Sequence, residues 1–93
     1  MSGFQTSVTQ AVKRIERMEF YFDALMLASE NCPDLLAEDL LVKGMLEELT
    51  AYYEGGQWMK DYTLDEQGLL PPKLKRGVLS QDGVFNLLAR IFP

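Results

Sequence analysis

Three carboxylates, Asp61, Asp65 and Glu66, are the residues of this chain whose types and spacing come closest to chemistry. On a helix, positions 61 and 65 share a face, and two carboxylates one turn apart can hold a hard cation through oxygen. The alternating oxygen ligands and central glycine of an EF-hand are missing. The same groups would serve equally well as helix-terminus charges, or as partners for Lys60, Lys73 or Lys75. A second constellation is Lys75-Arg76-Gly77, just ahead of a predicted helix N-terminus, where basic side chains and a glycine can cradle an anion. Ser80 and Asp82 are expected to satisfy that terminus already, which leaves Lys75 and Arg76 to pair with acidic residues elsewhere. A third constellation is aromatic. Tyr52, Tyr53, Trp58 and Tyr62 lie close together in sequence, and such residues serve both as interface anchors and as core filler.

Other chemistries are poorly supplied. The chain has no histidine, so it lacks the usual general base and the commonest metal ligand. Cys32 is the single cysteine, which excludes an internal disulfide and a Cys-pair zinc site, and it has no imidazole to activate it. No catalytic residue, cofactor or metal site is expected.

The net charge of −5 is unevenly placed. Residues 18–66 hold most of the carboxylates, with only Lys43 and Lys60 to balance them. Lys13, Arg14 and Arg17 precede this stretch, and Lys73, Lys75, Arg76 and Arg90 follow it. The pattern predicts basic ends folded back onto an acidic middle. Nucleic-acid binding would need Lys13, Arg14, Arg17, Lys73, Lys75 and Arg76 on one face, and the acidic centre argues against it. Residues 1–5 show no signal-peptide pattern, and no run of apolar residues is long enough to span a membrane. The expected location is cytoplasmic, with no membrane partner.

The elements that must position these groups are helices. Phe4, Val8, Ala11, Ile15, Met18, Phe22 and Leu25 follow one another at alternating spacings of four and three. This seven-residue repeat predicts a helix over residues 6–29, about 36 Å long. Pro33 breaks the pattern and suits the first turn of a second helix, predicted over residues 33–53. Its stripe is Leu35, Val42, Met45 or Leu46, Leu49, and Tyr52 or Tyr53, and Gly55-Gly56 ends it. A close helix–helix approach would account for Gly44 in its interior. Residues 57–79 keep no period, yet they hold Trp58 and several aliphatic residues. They read as a packed irregular arm, extended at Pro71-Pro72, that admits a short helical turn over residues 58–65. Val84, Leu87, Leu88 and Ile91 mark a last helix over residues 81–92, capped by Ser80. The fold class is all-α. A long antiparallel hairpin, the arm and the short C-terminal helix form one domain, residues 1–93, resembling a three-helix bundle.

Four stretches carry a resemblance. They are residues 13–19, the Tyr52-Tyr53-Glu54-x-Gly56-x-Trp58-x-Lys60-Asp61-Tyr62 segment, Asp65-Glu66-x-Gly68-x-Leu70-Pro71, and the run from Leu74 through Lys75-Arg76-Gly77-Val78-Leu79-Ser80 to Asp82. Together they resemble a bacterial family of small domains of unknown function, over about residues 11–90. The resemblance implies a bacterial origin and a domain of this size. It implies no activity, cofactor or partner.

The leading expectation is a small non-catalytic protein-interaction module, with self-association into a homodimer as a further expectation and its protein partner unknown. Its surface would be drawn from Tyr53, Trp58, Lys60, Asp61, Tyr62, Asp65, Glu66, Lys75, Arg76, Ser80 and Asp82. The rival is an enzyme or a domain binding a small ligand, anion or metal through Asp61, Tyr62, Asp65, Glu66 and Lys75. That reading requires these five groups to converge on one concave site.

Overall fold

The computed structural model describes residues 3–80 and 82–92, the side chains of residues 3–6 excepted. The chain is all-α, and no strand occurs among the described residues. Its helices are α1 (Gly3–Asn31), α2 (Leu35–Glu38), α3 (Leu40–Glu54), α4 (Gln57–Glu66) and α5 (Gly83–Ile91). A 3-10 turn, Gly77–Leu79, precedes the last of these. No helix among the described residues is long and apolar enough to cross a membrane.

The seven-residue repeat of α1 is turned towards its own chain. Ala11, Ile15, Met18, Phe22 and Leu25 are buried, while Val8 is half-buried. Phe4, the first member of the repeat, has its side chain outside the described residues. The opposing surface comes from Leu46, Leu49 and Tyr52 of α3. Tyr21 of α1 donates a hydrogen bond to Glu48, whereas Arg14, earlier in α1, reaches Asp61 and through it Tyr52, later in α3. The two helices therefore run antiparallel. Val78, Leu79, Val84 and Leu87 close the core from the C-terminal side. Ile15, Leu25, Leu49 and Leu87 are fully buried, each stabilising the fold by about 1.5–3 kcal/mol relative to exposure.

The second predicted helix is interrupted. Asp39 leaves the helical region at φ −94° and ψ 122°, and its side chain accepts a hydrogen bond of 3.1 Å from the Val42 amide. It caps α3 and splits off the single turn of α2. An aspartate competes for nearby backbone amides in this way wherever the packing lets the chain bend. Gly44 does not mark a close helix contact, because a Cβ at that position would meet nothing within 4 Å.

The irregular arm begins with a regular element. Residues 57–66 are α-helical, bracketed by Gly56 at φ 96° and Gly68 at φ 73°. At the C-terminal end the Leu69 amide bonds the Leu64 carbonyl and the Gly68 amide bonds that of Asp65. This paired closure needs a left-handed residue, which glycine supplies without a Cβ clash. Only the stretch after Gly68 is irregular, and there Leu70 is buried in the core. The last helix begins at Gly83, inside the predicted range. Ser80 still caps it, its hydroxyl accepting from the Gly83 amide at 2.9 Å. Gln81, where that helix was predicted to start, lies outside the described residues.

Candidate functional site

Asp61 is fully buried, at 0% exposure, on the inner face of α4. Its two oxygens accept a forked pair of hydrogen bonds from Arg14, at 2.9 and 2.5 Å, and a third from the Tyr52 hydroxyl at 2.8 Å. The charge is thus matched and its lone pairs are largely used, which is what a carboxylate needs in order to lie inside a core. The electrostatics follow from the geometry. The hydrogen bond to Asp61 raises the pKa of Arg14 further, against the opposing effect of burial. Burial first, and then the hydrogen bond to Asp61, push the Tyr52 hydroxyl well above its ordinary range. The cluster joins α1, α3 and α4 at one point and offers no oxygen to an outside cation.

Trp58 is also internal, with 7% of its surface exposed. Its indole N–H donates to the Val78 carbonyl at 2.8 Å. Its ring stacks on Tyr62, with centroids 5.1 Å apart, and Tyr53 meets it edge-on at 5.3 Å. The Val78 amide in turn donates to Glu19 of α1 at 2.8 Å. Both polar backbone groups of Val78 are therefore held by side chains, one from α4 and one from α1, and the 3-10 turn is fixed between them. Glu19 is buried in this role. Sequence reasoning missed it, since a glutamate within an amphipathic helix carries no mark of burial.

Arg76 is committed to the arm. It donates to Asp65 at 2.9 Å and to the carbonyls of Pro71, Pro72 and Leu74 at 2.9–3.2 Å. One planar fork thereby organises a loop whose prolines supply no amide hydrogens of their own. Lys75 reaches Asp23 at 3.0 Å in solvent, and that contact raises its pKa. Asp61 and Asp65 thus pair with arginines from outside α4, while Lys60 and Lys73 take no part. Across the described residues, the ion pairs are Arg14 with Asp61, Lys75 with Asp23, Arg76 with Asp65 and Arg90 with Glu30. Each joins a basic residue from an end of the chain to an acid in the middle, as the charge pattern predicts.

The predicted surface residues therefore separate. Asp61 and Trp58 are buried, and Tyr53, Tyr62, Asp65 and Arg76 are half-buried. Lys60, Glu66, Lys75, Ser80 and Asp82 are exposed. Asp61, Tyr62, Asp65 and Lys75 are each engaged by a different neighbour, and the five groups of the rival reading do not converge. Among the described residues, no three side chains of the His, Cys, Asp and Glu types come together to hold a metal. Cys32 is exposed and free.

The open concave surface lies elsewhere, between α3 and α5. One cleft of about 510 Å³ is lined by Leu36, Leu46, Ala51 and Phe92 among apolar residues, with Lys43, Glu47, Thr50 and Glu54. A second, of about 480 Å³, is lined by Tyr53, Phe85, Leu88, Ala89 and Phe92, again with Thr50 and Glu54. The two clefts adjoin, with Thr50, Glu54 and Phe92 as shared walls, and are treated together as one groove. Phe85 and Phe92 are 58% and 59% exposed along it. The Thr50 hydroxyl is buried in its floor without a hydrogen-bond partner. Its sequence signal was the pair of phenylalanines flanking the stripe of the last helix. A further cleft of about 510 Å³, between α1 and α4, is more polar and is lined by Ser7, Gln10, Arg14, Gln57 and Lys60 among others.

These features define a small all-helical domain whose buried polar residues bind the arm to the hairpin and whose open face is an apolar groove. The chain belongs to the family described as Domain of unknown function (DUF4298), which matches residues 15–92. No curated protein and no solved structure was found to match it.

Proposed function

We propose that this domain is a non-catalytic protein-interaction module, and that it receives a helical segment of its partner in the groove between α3 and α5. The observation that carries this reading is the groove itself. It is a pair of adjoining, mainly apolar clefts with two phenylalanines more than half exposed along it. Aromatic side chains beside an apolar channel are the residues that dominate interface energetics. The polar residues that would otherwise suggest catalysis are occupied in holding the fold. Of the surface predicted from sequence, Tyr53 lines the groove, whereas Trp58 and Asp61 are buried in the core.

The walls are two helices, so a third helix completes a layer by ordinary ridge-into-groove packing. An extended peptide would have to bury its amides and carbonyls against largely apolar walls, with no sheet edge to pair them. The test is a photo-crosslinking amino acid placed at Ala89 in the groove or at Phe20, which is exposed on α1. Discrete adducts from position 89, lost when Phe85 and Phe92 are also replaced by alanine, are expected. Equal adducts from both positions, or none from position 89, would reject the reading.

A further inference from the structure

We infer that the partner helix carries two basic residues seven positions apart along the flank that faces α3. This inference rests on the groove reading above. The two walls differ in charge. From α5 and the residue that follows it the groove receives Phe85, Leu88, Ala89 and Phe92, none of which is charged. From α3 it receives Lys43, Glu47 and Glu54. Glu47 and Glu54 are seven residues apart, which sets them about 10.5 Å apart along the helix axis and on one face. Neither has an ion-pair partner among the described residues. Two lysines or arginines at the same spacing on a neighbouring helix would meet both carboxylates.

The order of charges along α3 is positive at Lys43, negative at Glu47 and negative at Glu54. Two basic residues alone meet the carboxylates in either direction; an acidic residue opposite Lys43 would be needed to fix the direction of the incoming helix. The chain does not carry the complementary pattern itself. Its basic residues are Lys13, Arg14, Arg17, Lys43, Lys60, Lys73, Lys75, Arg76 and Arg90, and no two of them are seven apart. The occupant is therefore a different polypeptide and not a second copy.

The test is selection from a displayed library of amphipathic helical peptides with a fixed apolar stripe and randomised flanks. The baits are the full chain, its E47K/E54K variant and its F85A/F92A variant, each checked for folding by Trp58 emission. The unaltered chain should enrich Lys or Arg at two flank positions seven apart. The E47K/E54K variant should enrich Asp or Glu there and bind the first set of peptides about tenfold or more weakly. Peptides that need Phe85 and Phe92 but show no charge preference on either bait would overturn this inference and leave the groove reading standing. Recovery of no peptide that depends on those phenylalanines would overturn both. A wild-type chain that sediments as a dimer, with an F85A/F92A variant that sediments as a monomer, would show a second copy in the groove and equally overturn the inference.

Discussion

Replacing Asp61 by alanine removes the acceptor for three hydrogen bonds at the junction of α1, α3 and α4. Two come from a guanidinium, and bonds involving a charged group contribute about 1.5–3 kcal/mol each. Their sum overstates the loss, because Arg14 keeps 21% of its side chain in solvent and can rehydrate part of its charge. Breaking a buried pair from one side costs about 3–5 kcal/mol, and that is the expected destabilisation here. A domain of this size has a total stability of about 5–14 kcal/mol, so the variant is expected to lose at least about a fifth of it, and at the lower end all of it. Urea unfolding followed by the emission of Trp58, the single tryptophan and a buried one, measures this directly.

The cluster also predicts a pH dependence. The Tyr52 hydroxyl has its pKa raised in the fold, so its contribution is fully present below about pH 10, the value for an unfolded tyrosine. It is lost as pH rises above that value, because only the unfolded state then releases the proton. The Tyr52→Phe variant should lose stability at pH 7 and show a shallower alkaline decline than the unaltered chain. An Asp61→Ala loss under 1 kcal/mol, or an Arg14→Met/Asp61→Ala double variant whose losses simply add, would refute the account of a coupled cluster.

The other expectations concern single contacts. Trp58→Phe leaves the Val78 carbonyl without its indole donor and should cost about 2–3 kcal/mol, read by far-UV circular dichroism because the fluorophore is gone. Arg76→Lys cannot reproduce a fork that reaches Asp65 and three carbonyls, so amide exchange over residues 69–76 should accelerate. Lys75→Ala, at a solvent-exposed pair, should leave the urea midpoint unchanged. Gly44→Ala should stabilise α3 by about 1 kcal/mol, since the new methyl meets nothing, whereas Gly56→Ala should destabilise by about 1 kcal/mol or more at its positive φ. Thr50→Val removes an unsatisfied buried hydroxyl and should raise the stability of the free chain by about 1 kcal/mol in the same urea assay.

The sequence was most readable where burial is apolar and periodic. The repeat in α1 and the stripe of α5 announced their helices because Ile15, Leu25, Val84 and Leu87 repeat at helical spacing. The same logic failed at α4. Its buried pair is Trp58 and Asp61, so the inward face carries a carboxylate and shows no hydrophobic stripe. The glycines at 56 and 68 that bracket it were the remaining sign, and they stand one long turn-limited segment apart. The break at Asp39 was equally local, a cap that reads from sequence as one more acid in a helix. Several candidate residues of the arm, Trp58, Asp61 and Arg76 among them, are engaged by neighbours within the chain. A list of reactive types cannot distinguish a carboxylate aimed at a ligand from one aimed at Arg14. That depends on contacts 47 residues apart in sequence.

Among the described residues, four ion pairs join the ends of this chain to its centre, three of them across distant stretches of sequence. The charges that make them are present before any packing exists. In a collapsed but unstructured chain, a positive head and a positive tail are both drawn to a negative waist, which biases the search towards native-like ordering of the segments. Added salt shortens the reach of that attraction. Raising the ionic strength is therefore expected to weaken this bias in the unfolded chain, which refolding rates measured across a salt series would show.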